Sequence, residues 1–463
     1  MLHPAASSPN PSLDETHSDR YRELLEKNRR YLWNPFTQMS HYLDSDPPVI
    51  ERAEGVKLID VEGREYYDGN SSLWLNIHGH GHPQLNRAIN AQLEAVAHST
   101  LLGMGNIPAI DLAERLVEIT PERLNKVFYS DCGAAAVEIG LKMAFSYWRR
   151  IGRPEKRRFV SFENAYHGDT VGAMSVGGID LFHSEYGPML LDVDRVPYPY
   201  PYRFEGSADR CADACLGAAE SLLKEKAGEI ACLVVEPLVQ AAGGMIVMPQ
   251  GFLSSLRRLC TRFEVLLLAD EVATGFGRTG RMFACDHEMV TPDIMAVGKG
   301  LTGGYLPVAA TLTTDEIYDA FYGELSEFKA FFHGHSFTGN QLGCAVALAS
   351  LHLFESSRLI AHVQESSRIV TSRLESFRSL PHVGEVRQMG LMVGIELVAD
   401  RPSKRSYDPT DTVGVGVCRR ARELGLITRP LGDVITFIPP LVTESSDLVA
   451  MLDILEESIR DTT

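Results

Sequence analysis

VLLLADEVATGFGRTGRMFACDHEMVTPDIMAVGKGLTGGYLP, residues 265–307, decides the fold. It opens on an unbroken apolar run, Val265–Ala269, of the kind that forms a strand buried on both faces of a parallel sheet. Asp270 and Glu271 follow at once, so two carboxylates stand at the carboxyl end of a strand, where open α/β sheets collect their ligands. A second apolar piece, Ile294–Val297, delivers Lys299 between Gly298 and Gly300, in backbone that can turn sharply and admit a ligand. A lysine that can lose its proton forms a Schiff base with an aldehyde. Pyridoxal 5'-phosphate (PLP) needs such a lysine, and a carboxylate that keeps its ring nitrogen protonated. On that reading Asp270 is the carboxylate and Lys299 the amine. The plain alternative is a turn-forming aspartate beside a solvated loop lysine, and the rest of the chain has to decide.

Outward from this stretch the layout repeats. Ile230–Pro237 reads as a buried strand ending in Glu236, and Leu253–Phe263 as the helix that leads back to residue 265. KVFYSD, Lys126–Asp131, is a short strand followed by small residues and a long amphipathic pattern, CGAAAVEIGLKMAFSYWRR. Strand, small-residue turn and helix is the arrangement that aims backbone N–H groups at a phosphate, and Gly133 and Ala134 would supply them. In RFVSFENAYHGDT a strand, Arg158–Phe162, runs into a loop with Tyr166, His167, Gly168 and Asp169. Tyr166 either stacks against a planar ring or is an ordinary turn tyrosine. The run VPYPYPY, 196–202, reads as a surface excursion. Strands alternating with helices from about residue 80 to 345 predict a mostly parallel sheet with helices on both sides, an α/β large domain over residues 79–344.

The flanks form a second unit. After a charged helix at Tyr21–Tyr31, residues Val49–Gly69 alternate apolar and polar around two Glu-Gly turns and predict a small antiparallel meander. This is the N-terminal part, 19–78, of a smaller α/β domain completed by 345–463. Strands are expected there within 386–398 and 426–441, and helices over 411–424 and 445–460. Between meander and large domain, NSSLWLNIHGHGHP (70–83) carries three alternating histidines. Glycines between them leave no helix face and no carboxylate follows at ligand spacing, so no metal is expected. Trp74 in the same loop is either a wall for an apolar substrate chain or a core residue.

Composition bounds the function. The 463 residues, 44% hydrophobic and 23% charged, suit a globular protein with more than one core, and no apolar run reaches a membrane span. A formal charge of -17, from 44 Lys and Arg against 61 Asp and Glu, argues against a nucleic-acid surface. Eight cysteines without a CxxC pair read as reduced core thiols. Met1–Ser18, rich in Ser, Pro and Asn, reads as a frayed tail without targeting features, and the expected location is the cytoplasm.

SDCGAAAVE, NAYHGDT, LADEVATGFGRTG, GKGLTGGYLP, HGHSFTGNQ and TRPLGD together resemble the class III aminotransferases, PLP enzymes of fold type I, from about residue 30 to the C-terminus. The resemblance implies a homodimer with active sites between subunits. It also implies roles: Lys299 holds the cofactor and moves the proton, Asp270 pairs with the ring nitrogen, Gly133 and Ala134 bind phosphate, and Tyr166 stacks on the ring. Ser336 would reach that phosphate from the partner subunit, and Gly334, two positions before it, would lie at the substrate. Trp74 falls at the substrate channel, Arg429 where a substrate carboxylate is gripped, and Arg278 at a second substrate-proximal position; the alternative for Arg278 is a buried partner of Asp169. WNPFTQM, SSLWLNIHGHGHPQL and AHSTLLGMGN resemble the branch that aminates 7-keto-8-aminopelargonic acid (KAPA) on the biotin pathway. The better known members use S-adenosylmethionine as amino donor and carry tyrosines where this chain has Phe36 and Thr436. The chain is more similar to the Bacillus-type members, for which the donor is lysine. The rival is another class III enzyme acting on ω-amino acids, and from a different class a scaffold that keeps the fold without chemistry.

Overall fold

The computed structural model describes residues 17–463, so the expected tail lies, up to position 16, outside the described residues. Ser18 accepts from the Tyr21 N–H at 3.2 Å and caps the first helix, Asp19–Tyr31. The meander follows as β1 (Ile50–Glu54), β2 (Lys57–Asp60) and β3 (Glu65–Asp68), antiparallel throughout. Gly55 and Gly63 take the left-handed backbone its turns need.

The central sheet has seven strands. In chain order they begin with β4 (Lys126–Ser130), β5 (Arg158–Phe162), β6 (Val193–Val196) and β7 (Ile230–Val235). A short hairpin, β8 (Val239–Gln240) and β9 (Ile246–Val247), intervenes before β10 (Leu266–Asp270), β11 (Ile294–Val297) and β12 (Ala309–Thr313). The spatial order is β4-β12-β11-β10-β7-β5-β6. All neighbours are parallel except β12, which runs against both β11 and β4. The strand β10 explains the apolar run that opened the reading. Leu267 and Ala269 join the core that includes Leu253 and Leu256 of the helix Phe252–Arg262, and Leu268 joins Ala136 and Ile139 of the helix Gly133–Arg150 on the opposite face. With both faces covered, alternation would leave a polar side chain in one core.

The C-terminal part contains β13 (Val383–Met389), β14 (Met392–Leu397), β15 (Leu426–Ile427), β16 (Pro430–Leu431) and β17 (Val434–Phe437). Four of these form the sheet β13-β14-β17-β16, while β15 leaves it to pair in parallel with β3, Leu426 opposite Tyr67. The helices Val413–Glu423 and Ser445–Thr462 pack against them.

One expectation is overturned. VPYPYPY is not a surface excursion: Tyr198 and Pro199 are buried, and Tyr200 bonds Glu396 of β14 and the Arg387 guanidinium of β13. A tyrosine offers an apolar body and a polar tip, which suits it to a seam between two packed units. Six of the eight cysteines are buried and all are free; Cys132 is exposed. Among the described residues no single helix is long and apolar enough to cross a membrane.

Candidate active site

The segments that follow the carboxyl ends of β4, β5, β7, β10 and β11 converge with the loop that holds Trp74 around a cavity of about 690 Å³. Asp270 and Lys299 both line it, together with Gly133, Ala134, Tyr166, Trp74, His167 and Glu236. Asp270, 5% exposed, accepts from the Val272 N–H at 3.0 Å and shares a 2.7 Å contact with His167 Nδ1. Among the described residues no lysine or arginine reaches its carboxylate within ion-pair distance, which leaves it open to a ligand cation. Lys299 stands on a left-handed residue, φ 43°, with Nζ 5.2 Å from the centre of the Trp74 ring. Burial pushes its amine below the usual lysine range, and the charges of Asp270 and Glu236 resist that fall.

His167 and Glu236 complete the buried cluster, and sequence reasoning gave neither a role. Burial works against a charged His167, but the hydrogen bond and charge of Asp270 outweigh it and raise its pKa. Its Nε2 is buried and, among the described residues, has no hydrogen-bond partner. Glu236, at the end of β7, accepts from the Tyr166 N–H at 3.1 Å and the Ala241 N–H at 2.9 Å. Burial pushes its carboxyl up to about 7, against the pull of His167 and with the push of Asp270. The signal for both was position: His167 follows Tyr166 directly and Glu236 ends a predicted strand.

The residues fit PLP. The helix Gly133–Arg150 begins at the cavity, its N-cap Cys132 supplies no side-chain bond, and its first-turn N–H groups are left for an anion. Gly168, at φ 121°, approaches Ala134 so closely that a Cβ there would overlap it. Tyr166 is held in place by the 2.7 Å hydrogen bond its hydroxyl donates to Asp169.

Trp74 sits on a strained loop. Ser71, Ser72 and Trp74 all have positive φ (47°, 60° and 63°), conformations that cost about 1–3 kcal/mol each without glycine. The indole Nε1 donates to Asn70 Oδ1 at 3.0 Å. Arg278, fully buried, donates to the carbonyls of Pro439 and Asn76 and to Ser71 Oγ. Burial lowers it to about 9, with Asp68 the charge that resists. The alternative pairing of Arg278 with Asp169 is therefore overturned: Asp169 takes the Tyr166 hydroxyl, and Arg278 faces carbonyls beneath the loop.

The other residues singled out lie apart from this cavity. Phe36, exposed, packs edge-on against Tyr166 at 6.4 Å. Arg429 is exposed, and Thr436 spends its hydroxyl on the Arg429 carbonyl at 2.8 Å. Gly334 and Ser336 are exposed on the segment after β12, where the Ser336 carbonyl accepts from His98 at 2.8 Å. The three histidines of residues 78–82 have separate tasks: His78 meets Ser350, His80 meets Asp68, and His82 receives the Gln84 N–H.

The family model Aminotransferase class-III matches residues 40–459. The adenosylmethionine-8-amino-7-oxononanoate aminotransferase of Anoxybacillus flavithermus is 55% identical over 442 residues, 95% of this chain and 97% of that protein. A crystal structure of the enzyme of that name from Methanocaldococcus jannaschii superposes with a TM-score of 0.91 at 44% identity, covering 95% of this chain and 99% of the other. The omega transaminase of Pseudomonas jessenii in complex with PMP matches with a TM-score of 0.91 at 32% identity, covering 95% of this chain and 98% of that one.

Proposed function

The chain belongs to the class III aminotransferases and is a PLP-dependent enzyme of fold type I, and on that premise we propose that it aminates KAPA to 7,8-diaminopelargonic acid in biotin biosynthesis. The observation that carries this is the 55% identity, over almost all of both chains, to a relative named for 8-amino-7-oxononanoate. The cavity agrees with such an acceptor. KAPA is a long apolar chain with a carboxylate at one end, and Trp74, Leu75, Leu306, Pro307 and Val308 offer an apolar wall. Arg429, exposed, is the proposed grip for the carboxylate, a task suited to a bidentate guanidinium.

When bound, PLP supplies an aldehyde that takes up the donor's amino group and a ring that draws electrons from the substrate carbon. The chain supplies the rest. Asp270 keeps the ring nitrogen protonated, and His167 fixes which way that carboxylate faces. Lys299 carries a proton between donor carbon and cofactor, and works as a base only while neutral, a state its burial favours. Gly133 and Ala134 hold the phosphate, Tyr166 covers the ring and Trp74 lines the acceptor's path.

The amino donor is proposed to be lysine. Neither position 36 nor position 436 offers the cavity a phenolic hydroxyl, since Phe36 has none and the Thr436 hydroxyl is spent on main chain. The names that the relatives carry favour a second reading, adenosylmethionine. Purified enzyme offered KAPA with each donor in turn decides: diamine from lysine alone supports the first reading, and diamine from adenosylmethionine alone refutes it.

The working form is proposed to be a cytoplasmic homodimer. Residues 97–110 and 331–341 are tied together through His98 to Ser336 and Asn106 to Gly339, and they expose Leu102 (89%), Ile107 and Phe332 (72%). An apolar patch of that kind is usual at a subunit interface. A partner there would bring Ser336 to the neighbouring phosphate and Gly334 to the neighbouring substrate.

A further inference from the structure

We propose that His80, which does not line the cavity, is a positioning residue: acting through the buried Asp68 carboxylate, it holds the strained loop 70–76 and thereby fixes Trp74 against the acceptor. This rests on the reading of Trp74 as the acceptor's wall.

Each link is a contact. Asn76 Oδ1 accepts from the Gly79 N–H at 2.8 Å, which fixes the amide so that its Nδ2 faces His80 Nδ1 at 3.2 Å. His80 Nδ1 is therefore an acceptor, its proton is on Nε2, and Nε2 donates to Asp68 Oδ2 at 2.9 Å. Asp68, its side chain fully buried, accepts in turn from the Ser72 N–H at 2.8 Å and the Ser72 hydroxyl at 3.2 Å. Ser72 is at φ 60°, ψ −69°, far from helical or extended backbone, and Trp74 follows two positions later at φ 63°. No glycine relieves this backbone between residues 70 and 76. It is held from one side by Asp68 and from the other by Arg278, which grips Ser71 Oγ and the Asn76 carbonyl. His80 itself is pinned to the meander, exchanging both main-chain hydrogen bonds with Gly55. The middle histidine of HGHGH thus couples the small sheet to the indole beside Lys299.

The test is a double-mutant cycle on the holoenzyme, with KAPA as the varied substrate. His80→Leu is expected to raise the KM for KAPA about tenfold with kcat within about threefold, as loss of uniform binding does. The cofactor's visible absorbance should be unchanged. His80→Gln, whose amide can donate to Asp68, should recover most of the loss. If His80 acts through Trp74, the double variant His80→Leu/Trp74→Ala binds KAPA no worse than Trp74→Ala alone. A second readout is acrylamide quenching of tryptophan fluorescence in a Trp33→Phe background, with and without added PLP; release of Trp74 should steepen it in His80→Leu. Penalties that multiply, an unchanged KM in His80→Leu, or unchanged quenching would each overturn the proposal. A Trp74→Ala enzyme with an unchanged KM would instead remove the wall assignment, and quenching would still judge the loop.

Discussion

Replacing Asp270 by Asn keeps the side chain's volume and its bond from the Val272 N–H, and removes only charge. Two charge-assisted contacts are lost: the 2.7 Å contact with His167 and the proposed one with the cofactor's ring nitrogen. At about 1.5–3 kcal/mol each, the loss is about 3–6 kcal/mol, or roughly 10²- to 10⁴-fold in kcat. Discounting for solvent is small because the carboxylate is 5% exposed. The same change removes a charge that holds the Lys299 pKa up, so the lysine becomes easier to deprotonate and cannot account for the slowing. The assay is a single-turnover half-reaction with amino donor, followed by the visible absorbance of the bound cofactor. The variant is expected to retain cofactor, since Gly133, Ala134 and Lys299 are untouched, and to turn over slowly. An enzyme within about tenfold of the parent rate would refute the assignment of Asp270, since even one charged contact is worth that much.

Lys299→Ala should abolish both turnover and the visible absorbance that depends on the lysine's bond to the cofactor; residual catalysis at more than about a thousandth of the parent rate would take the proton-carrying role from it. Gly168→Ala forces a methyl into Ala134 at φ 121°, and should cost about 1–3 kcal/mol of stability in a denaturant melt and weaken cofactor retention. Glu236, at about 7 when folded against 4.5 as its ordinary value, holds a proton between those limits that the unfolded chain has released. Its contribution is therefore full below about pH 4.5 and lost as pH rises through 7, with a slope of up to ~1.4 kcal/mol per unit. Glu236→Gln should flatten that fall between pH 5 and 7 in the unliganded protein, leaving the similar slope from Glu271, itself pushed by burial to about 7; an unaltered slope would count against it. Light scattering should give twice the chain's 51.1 kDa, and a charge placed at Leu102 or Phe332 should shift the mass toward one chain.

Much of the large sheet was legible because burial on both faces leaves a mark that neighbours in sequence carry. Val265–Ala269 and Ile294–Val297 are such runs, and Asp270 and Lys299 stand at or just past their ends. What stayed hidden depends on which strands adjoin. Glu236 meets Asp270 and His167 only because β7 lies between β10 and β5, an order no local pattern encodes. Tyr200 was misread for a similar reason, since Glu396 and Arg387, its buried partners, lie almost two hundred positions further on. The alternative pairing of Arg278 with Asp169 gave way to main-chain carbonyls, which any sequence offers everywhere. The loop 70–76 was legible as a loop and illegible in its strain, because Ser71, Ser72 and Trp74 are not residues that left-handed backbone selects.

The parallel pairing of β15 with β3 has a consequence for how this protein is made. Tyr67 leaves the ribosome roughly 360 residues ahead of its partner Leu426, a wait of roughly 20 to 70 s at common elongation rates. Until then the meander has an open edge, and the Gly69 carbonyl lacks the Ile438 N–H that later closes on it. The nascent enzyme therefore carries an unprotected strand through almost the whole of its synthesis, a natural target for chaperones. Chains truncated before residue 426 should aggregate through that edge even though the cofactor-binding core is complete.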